Sequence, residues 1–371
     1  MKILVAGDFC PRDRVASILE KGDYASVFGN VKEIVSQADY SIVNLECPVV
    51  DKNATPIEKC GPNLKTTVKG VEALKWTGFN CVTLANNHFY DYGDEGVKST
   101  LEACDMNGID TVGGGNNLTE ASRILYKQIS GQTLAIVNCC EHEFSIATET
   151  TGGSNPLNPI QQYYAIQEAR SKSDYVLVIV HGGHEHWQLP SPRMVETYRF
   201  FVDAGADAVV NHHQHCYSGY EVYKGKPIFY GLGNFCFDNP VKRNSIWNKG
   251  YIVWIDTNVQ SKFEVIPYVQ CDNDPSVILC EKDNFDEEIV ALNTIIDNKE
   301  QLKREYERLL DSHKGFFKTF LAPYSGRWSR ALYKRGFLPS FLSKKRKLAL
   351  YDFVGCESHV DFILNLLKIS E

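Results

Sequence analysis

The sequence contains no apolar run approaching the roughly 20 residues a helix needs to cross a bilayer. Its opening, "MKILVAGDFC", has a short apolar stretch that Asp8 closes, too brief for the core of a secretory leader. The 12 cysteines include no CxxC pair, and the adjacent Cys139 and Cys140 are poor partners for one another. Scattered thiols without a leader point to a reducing cytoplasm, where most would act as small buried hydrophobes. The chain has no internal repeat and no low-complexity tract. "TVGGGNN" (111–117) lacks the Lys and Ser/Thr of a nucleotide P-loop and reads as a tight turn. The net charge of -7 gives no reason in the total to expect nucleic acid. With 43% hydrophobic and 23% charged residues the composition excludes a disordered chain. Its 371 residues suffice for one large α/β domain with an appendage, or for two ordinary domains.

Short apolar runs recur, each followed by polar or glycine-rich residues: "KILVAGD" (2–8), "YSIVNLE" (40–46), "CVTLANNH" (81–88), "TLAIVNCC" (133–140), "YVLVIVHGG" (175–183), "DAVVNHHQH" (207–215) and "PIFYGLGNF" (227–235). Such runs predict strands buried on both faces. Between them, 67–78, 96–108 and 192–205 predict helices. Gly78, Gly108 and Gly205 stop them, and Pro192 starts the last. Strands alternating with helices mean an α/β domain. From about residue 284 the pattern turns to helical spacing with many long charged side chains. Residues 1–283 therefore read as the main domain and 284–371 as a helical appendage.

The strand ends carry the chemistry. In order they hold Asp8, then Asn44 and Glu46, then Asn86, Asn87 and His88. His181, His184, Glu185 and His186 follow, and then His212, His213 and His215. Seven of the ten histidines fall in three short segments. Ligand sites in open α/β sheets gather at the carboxyl ends of strands. Each residue alone fits a cap, a polar turn or a satisfied core histidine. Together, acids, amides and imidazoles at successive strand ends suit a cation, of the Zn, Mn, Fe or Co kind.

The order of the motifs "GDF" (7–9), "ADYSIVNLECPV" (38–49), "GFNCVTLANNHFYDYGDEGVKSTLEA" (78–103), "GIDTVGGGNNLTEA" (108–121), "HGGHE" (181–185), "GADAVVNHHQHC" (205–216) and "PIFYGLGNFCFD" (227–238) resembles the calcineurin-like metallophosphoesterase superfamily. Within it, the chain is similar to the capsule-synthesis, poly-γ-glutamate-synthesis family of CapA type, over about residues 1 to 270. The resemblance implies a two-sheet β-sandwich flanked by helices (α/β/β/α) and two divalent metal ions, Mn, Zn or Fe. It implies Asp8 and His215 on one metal, Asn87, His181 and His213 on the other, and Glu46 as the bridge. His88 would be the unliganded histidine that donates a proton or steadies the leaving oxygen. Glu185 would act beside it at the substrate, with Asn44, Asn86 and His184 also contacting substrate. The superfamily has a histidine where this chain has Cys10, which would ligate as a thiolate or simply pack. The function implied is hydrolysis of a phosphoester-like bond, linked to an anionic extracellular polymer. The alternative is a non-catalytic assembly or transport factor for such a polymer.

From 312 to 351 there is no Asp or Glu. Ten basic residues occur there: Lys314, Lys318, Arg327, Arg330, Lys334, Arg335, Lys344, Lys345, Arg346 and Lys347. The rest of the chain has 29 basic and 46 acidic residues, or -17. Interleaved aromatics suit an anionic membrane at its inner face. They suit nucleic acid less, and suit best a helical subdomain that buries Phe316, Phe320, Trp328 and Phe337 with its basic stems along the rim.

Overall fold

The run KILVAGDF forms a strand, Lys2–Phe9, in which every residue after Lys2 is buried, as a strand covered on both faces must be. The structure, a computed structural model, describes residues 1–51, 53–259, 262–281, 283–321, 328, 332, 337 and 343–367. Successive side chains of a strand point opposite ways. Leu4 and Ala6 accordingly enter one apolar layer, and Ile3 and Val5 another. The sheet containing this strand runs from edge to edge as Val277–Leu279, Phe263–Gln270, Lys249–Asp256, Lys2–Phe9, Tyr40–Leu45, Cys81–Thr83 and Asp110–Val112. Asn234–Cys236 also pairs with Lys2–Phe9, in parallel. The second sheet runs Tyr220–Tyr223, Lys226–Phe229, Ala208–His212, Tyr175–His181, Gln132–Cys140 and Leu125–Ile129.

The layer that takes Ile3 and Val5 also takes Ile136, Ile179 and Val210, so the two sheets face each other. Helices Asp13–Leu19, Tyr24–Ser36, Val68–Thr77 and Gly93–Met106 cover the outer face of the first sheet through Val15, Val27, Leu74 and Val97. Helices Pro159–Lys172 and Pro192–Ala204 cover the outer face of the second through Ile166 and Phe201. This is the α/β/β/α sandwich anticipated from the sequence. The helix Val68–Thr77 stops at Gly78, at φ 112°. The sequence reading places no strand between 249 and 279, where the structure has three antiparallel ones.

The helical segment begins at Asp283, with helices Asp283–Asp297, Lys299–Leu321, Lys344–Gly355 and Glu357–Leu367. The first is no appendage. Phe285 and Ile289 join the layer between the sheets, and Ile296 joins the outer layer of the second sheet. The later helices form a small cluster of Leu310, Ala349, Phe353, Phe362 and Ile363, packed against Cys60. Among the described residues no helix is long and apolar enough to cross a membrane. Within the basic stretch 312–351, residues 322–327, 329–331, 333–336 and 338–342 lie outside the described residues, and so do the side chains of 314–321, Phe316 and Phe320 among them. Trp328 and Phe337 are 82% and 73% exposed, which overturns the expectation that a helical subdomain buries them.

One backbone contact fixes how the first strand meets the segment 231–236. A Cβ on Gly7 would lie 1.9 Å from the Gly233 carbonyl oxygen. The backbone N–H of Asp8 donates to that same oxygen at 3.1 Å. Gly7→Ala must therefore separate two backbones rather than shift a side chain. It is expected to lower the free energy of urea unfolding by about 3 kcal/mol, or to prevent folding. An unchanged unfolding midpoint would contradict this.

Candidate metal centre

Parallel pairing sets the strand ends level. Asp8 lies opposite Asn44, and His181 opposite His212. Asn44 then ties the two sheets together. Its Nδ2 donates to Asp8 Oδ1 at 2.8 Å and lies 3.2 Å from His181 Nδ1. Two groups of ligand atoms result, each within 4.8 Å: Asp8, Glu46 and His215, and Glu46, His181 and His213. Glu46 belongs to both. Its Oε1 is 3.5 Å from His215 Nε2 and 3.7 Å from His181 Nε2. Asn87 Oδ1 and His213 Nδ1 each lie 3.1 Å from His181 Nε2, joining the second group.

Glu46 is fully buried, and neither of its carboxylate oxygens has a hydrogen-bond partner. Burial, then Asp8 and Cys10, push its pKa well above the usual carboxylate range. An unpaired buried carboxylate costs several kcal/mol, so this one calls for a cation. The donor set is two carboxylates, an amide oxygen and three imidazoles, shared about one carboxylate. It fits two divalent ions of the Mn, Zn or Fe kind. The backbone is strained to present it: His213 and His215 have φ of 92° and 55°. Such conformations cost about 1–3 kcal/mol each and persist only where neighbours hold them. Here the His213 N–H donates to Asp8 Oδ2 at 3.2 Å, and His215 Nδ1 meets Asn234 Oδ1 at 2.9 Å.

His88 sits beside this centre and lines a cavity of about 320 Å³ with Lys59, Asn87, His184, Glu185 and His213. Its Nδ1 is 2.7 Å from Asp91 Oδ2, and Lys59 pairs with the same carboxylate. The short contact to a carboxylate fixes the proton on Nδ1 and leaves Nε2 free. Burial, then Lys59, outweigh Asp91 and push the ring down to about 4. The resting imidazole is therefore neutral, so His88 can give a proton from Nε2 only after taking one there.

The other expected residues separate. Glu185 and His184 line the cavity. Burial raises the Glu185 pKa, but His215 and His213 outweigh it and hold the carboxyl low. Burial pushes His184 down to about 3, and Phe362 packs edge-on against it at 4.8 Å. Asn44 and Asn86 do not line the cavity, contrary to a substrate-binding role. Asn86 Nδ2 donates to the Leu45 carbonyl at 2.9 Å, and its Oδ1 accepts the His88 N–H at 3.1 Å. Both asparagines are committed to framing the ligands. Cys10 joins neither ligand group. It packs beside Cys47 in the same apolar layer as Leu4 and Ala6.

Five further residues went unassigned in the sequence. Asp91 was visible in "NNHFYD", three positions after His88. Asn234 was visible within "GLGNF". Lys59, and Glu143 (which accepts from Asn87 Nδ2 at 3.3 Å), arrive on loops with no pattern to announce them. His212 Nδ1 lies 3.2 Å from Asp8 Oδ1.

Residues 2–239 match the model of the family described as "Bacterial capsule synthesis protein PGA_cap". The chain is 34% identical over 246 residues to "Capsule biosynthesis protein CapA" of Bacillus anthracis, covering 64% of this chain and 60% of that protein. It is 34% identical over 266 residues to "PGA biosynthesis protein CapA" of Bacillus subtilis, covering 70% and 69%. The chain thus spans less than two thirds of the first relative's length. Among solved structures, a "novel phosphatase" of Mycoplasma pneumoniae is 18% identical, with TM-score 0.46, covering 74% of this chain and 95% of that one. That likeness is too distant to bear on activity.

A shared bridging carboxylate has a measurable signature. Glu46→Gln is expected to remove both metals from protein purified without chelator, and His215→Ala mainly one. Cys10→Ser should leave the metal content unchanged. Elemental analysis decides. Equal loss of a single metal in the Glu46 and His215 variants would exclude a bridge, and loss in the Cys10 variant would restore it as a ligand.

Proposed function

The chain belongs to the bacterial capsule synthesis protein PGA_cap family, and from that membership we propose that it hydrolyses a phosphoester-like bond in making an anionic extracellular polymer. One observation carries the reading. Glu46 is buried without a hydrogen-bond donor, between two groups of metal-ligating atoms. Asp8 and His215 would hold one ion, Asn87, His181 and His213 the other, and Glu46 both. Bound there, two divalent ions supply a water of lowered pKa and neutralise charge on the transferred group. The protein's own part is positioning and proton transfer. Asn44 orients Asp8, and Asp91 holds the Nδ1 of His88, a residue of the cavity wall. His88 would take at Nε2 the proton that the attacking water loses and pass it to the leaving oxygen. Glu185 stands in the cavity as a second carboxylate within reach of substrate.

Metal-loaded protein is expected to turn over at least one member of a panel of phosphomonoesters and phosphodiesters. His88→Ala should keep its metal and lose about 10²–10⁴-fold in turnover, the usual range for a positioned acid–base group. Full metal occupancy with no turnover across the panel would favour a binding or assembly factor instead. Loss of metal in the His88 variant would make that residue a ligand.

We also propose that 312–351 contacts the anionic inner face of a membrane. Exposed Trp328 and Phe337, and Lys344, Lys345 and Lys347 on the helix surface, support this. Each basic residue near such a surface contributes roughly 1 kcal/mol, screened by salt. Co-sedimentation should show binding to anionic vesicles that weakens with salt, and none to neutral ones. Equal binding to both would remove the electrostatic contact.

A further inference from the structure

The cavity over the candidate metal centre has two kinds of wall. One belongs to the sandwich. The other is formed by Leu309, His313, Asp352, Phe353, His359 and Phe362, all beyond the family-matched residues 2–239. These helices are fastened on opposite banks of the site. On one bank Lys344 pairs with Glu58, and Cys60 packs into the helices' apolar cluster. On the other, Glu357 accepts the His142 N–H at 2.8 Å, and the Ser358 hydroxyl donates to Glu141 Oε2 at 2.5 Å. Arg193 joins Glu141 at 2.7 Å to Asp361 at 3.5 Å. Tyr306 and Phe362 close over His184, with ring centroids at 5.7 and 4.8 Å.

A polymer lying across the strand ends would have to pass through these helices. The helices bridge the site from one tie to the other, over a cavity of about 320 Å³, the size of a small group. We propose that the site takes the end of a chain and not its interior, binding a terminal phosphoryl or similarly anionic group beneath the C-terminal helices. This rests on the phosphoester reading above. His359 supplies a cation on the roof side. Burial lowers its pKa, but Asp352, 3.3 Å away, and Glu143 outweigh burial and push it up to about 9.

The test uses the full chain loaded with Mn²⁺ and reads binding by calorimetry, without turnover. The probes are dimethyl phosphate, poly(ethylene glycol) monophosphate, and a phosphodiester with a poly(ethylene glycol) arm on each side. The first and last have the same charge and differ only in whether a chain continues both ways. The wild type should bind the two-armed diester at least about tenfold more weakly than dimethyl phosphate, while still binding the one-armed monophosphate. The double variant Lys344→Glu/Glu357→Lys removes one tie on each bank and should lower that ratio toward one. If it does not fold, Lys344→Glu alone opens the bank at Glu58. Equal binding of the two diesters by the wild type overturns the inference and leaves the phosphoester reading standing. Discrimination that persists unchanged in the folded variant overturns it too, since the selectivity would then lie elsewhere. If metal is bound but no probe binds, the phosphoester reading fails, and the inference with it.

Discussion

A single carboxylate with no proton donor sets the terms for the strand ends. Glu46 lies fully buried where the two sheets meet. Left alone there it would cost several kcal/mol, a large share of what keeps a domain of this size folded. The surroundings make sense as a device for surrounding a cation with the right atoms. Parallel registers level Asp8 with Asn44 and His181 with His212. Asn44 bridges from one sheet to the other. His213 and His215 accept left-handed backbone angles that an ordinary turn would give to glycine. Local strain and an uncompensated charge coincide at one place, which is the pattern of a site rather than of a core.

Much of this was legible in the sequence, for reasons that can be stated. Seven apolar runs gave strands because a two-faced buried strand tolerates little else. Glycine marked helix ends because it adopts a positive φ without strain. The acids, amides and imidazoles were placed correctly at strand ends because they sit where an apolar run abruptly stops. The failures have a common cause, which is facing. Asn44 and Asn86 occupy the right loops but turn inward to hold neighbours. Cys10 lies two residues after Asp8 but packs into the apolar layer that takes Leu4 and Ala6. Lys59 and Glu143 come from irregular segments, whose side-chain directions no periodicity fixes. The strands between 249 and 279 escaped notice because they lie past the last motif, although "GYIVWID" is as apolar as the runs that were recognised.

The helices after residue 283 do two jobs that are usually separate. Asp283–Asp297 is stitched into the layers on both faces of the second sheet through Phe285, Ile289 and Ile296. The helices that follow wall the cavity. What looks in sequence like an addition is thus anchored to the same apolar layers that position the ligands. Its distance from the centre is set by core packing rather than by surface contacts alone.

The central strand has an unusual history in the order of synthesis. Lys2–Phe9 carries Asp8, and its neighbours are Tyr40–Leu45 on one side and Lys249–Asp256 on the other, with Lys2 opposite Asp256. All the candidate ligands have been made once His215 is added, yet the strand that closes the Asp8 strand's open edge comes later. Pairings between such distant segments form slowly, because the intervening loop must close first. A growing chain therefore carries a complete ligand set on a sheet with one bare edge. The helices that wall the cavity emerge later than that strand. Any ion the centre takes would meet it while it is still roofless, so loading would precede enclosure, and the finished fold would admit one only by a narrower route.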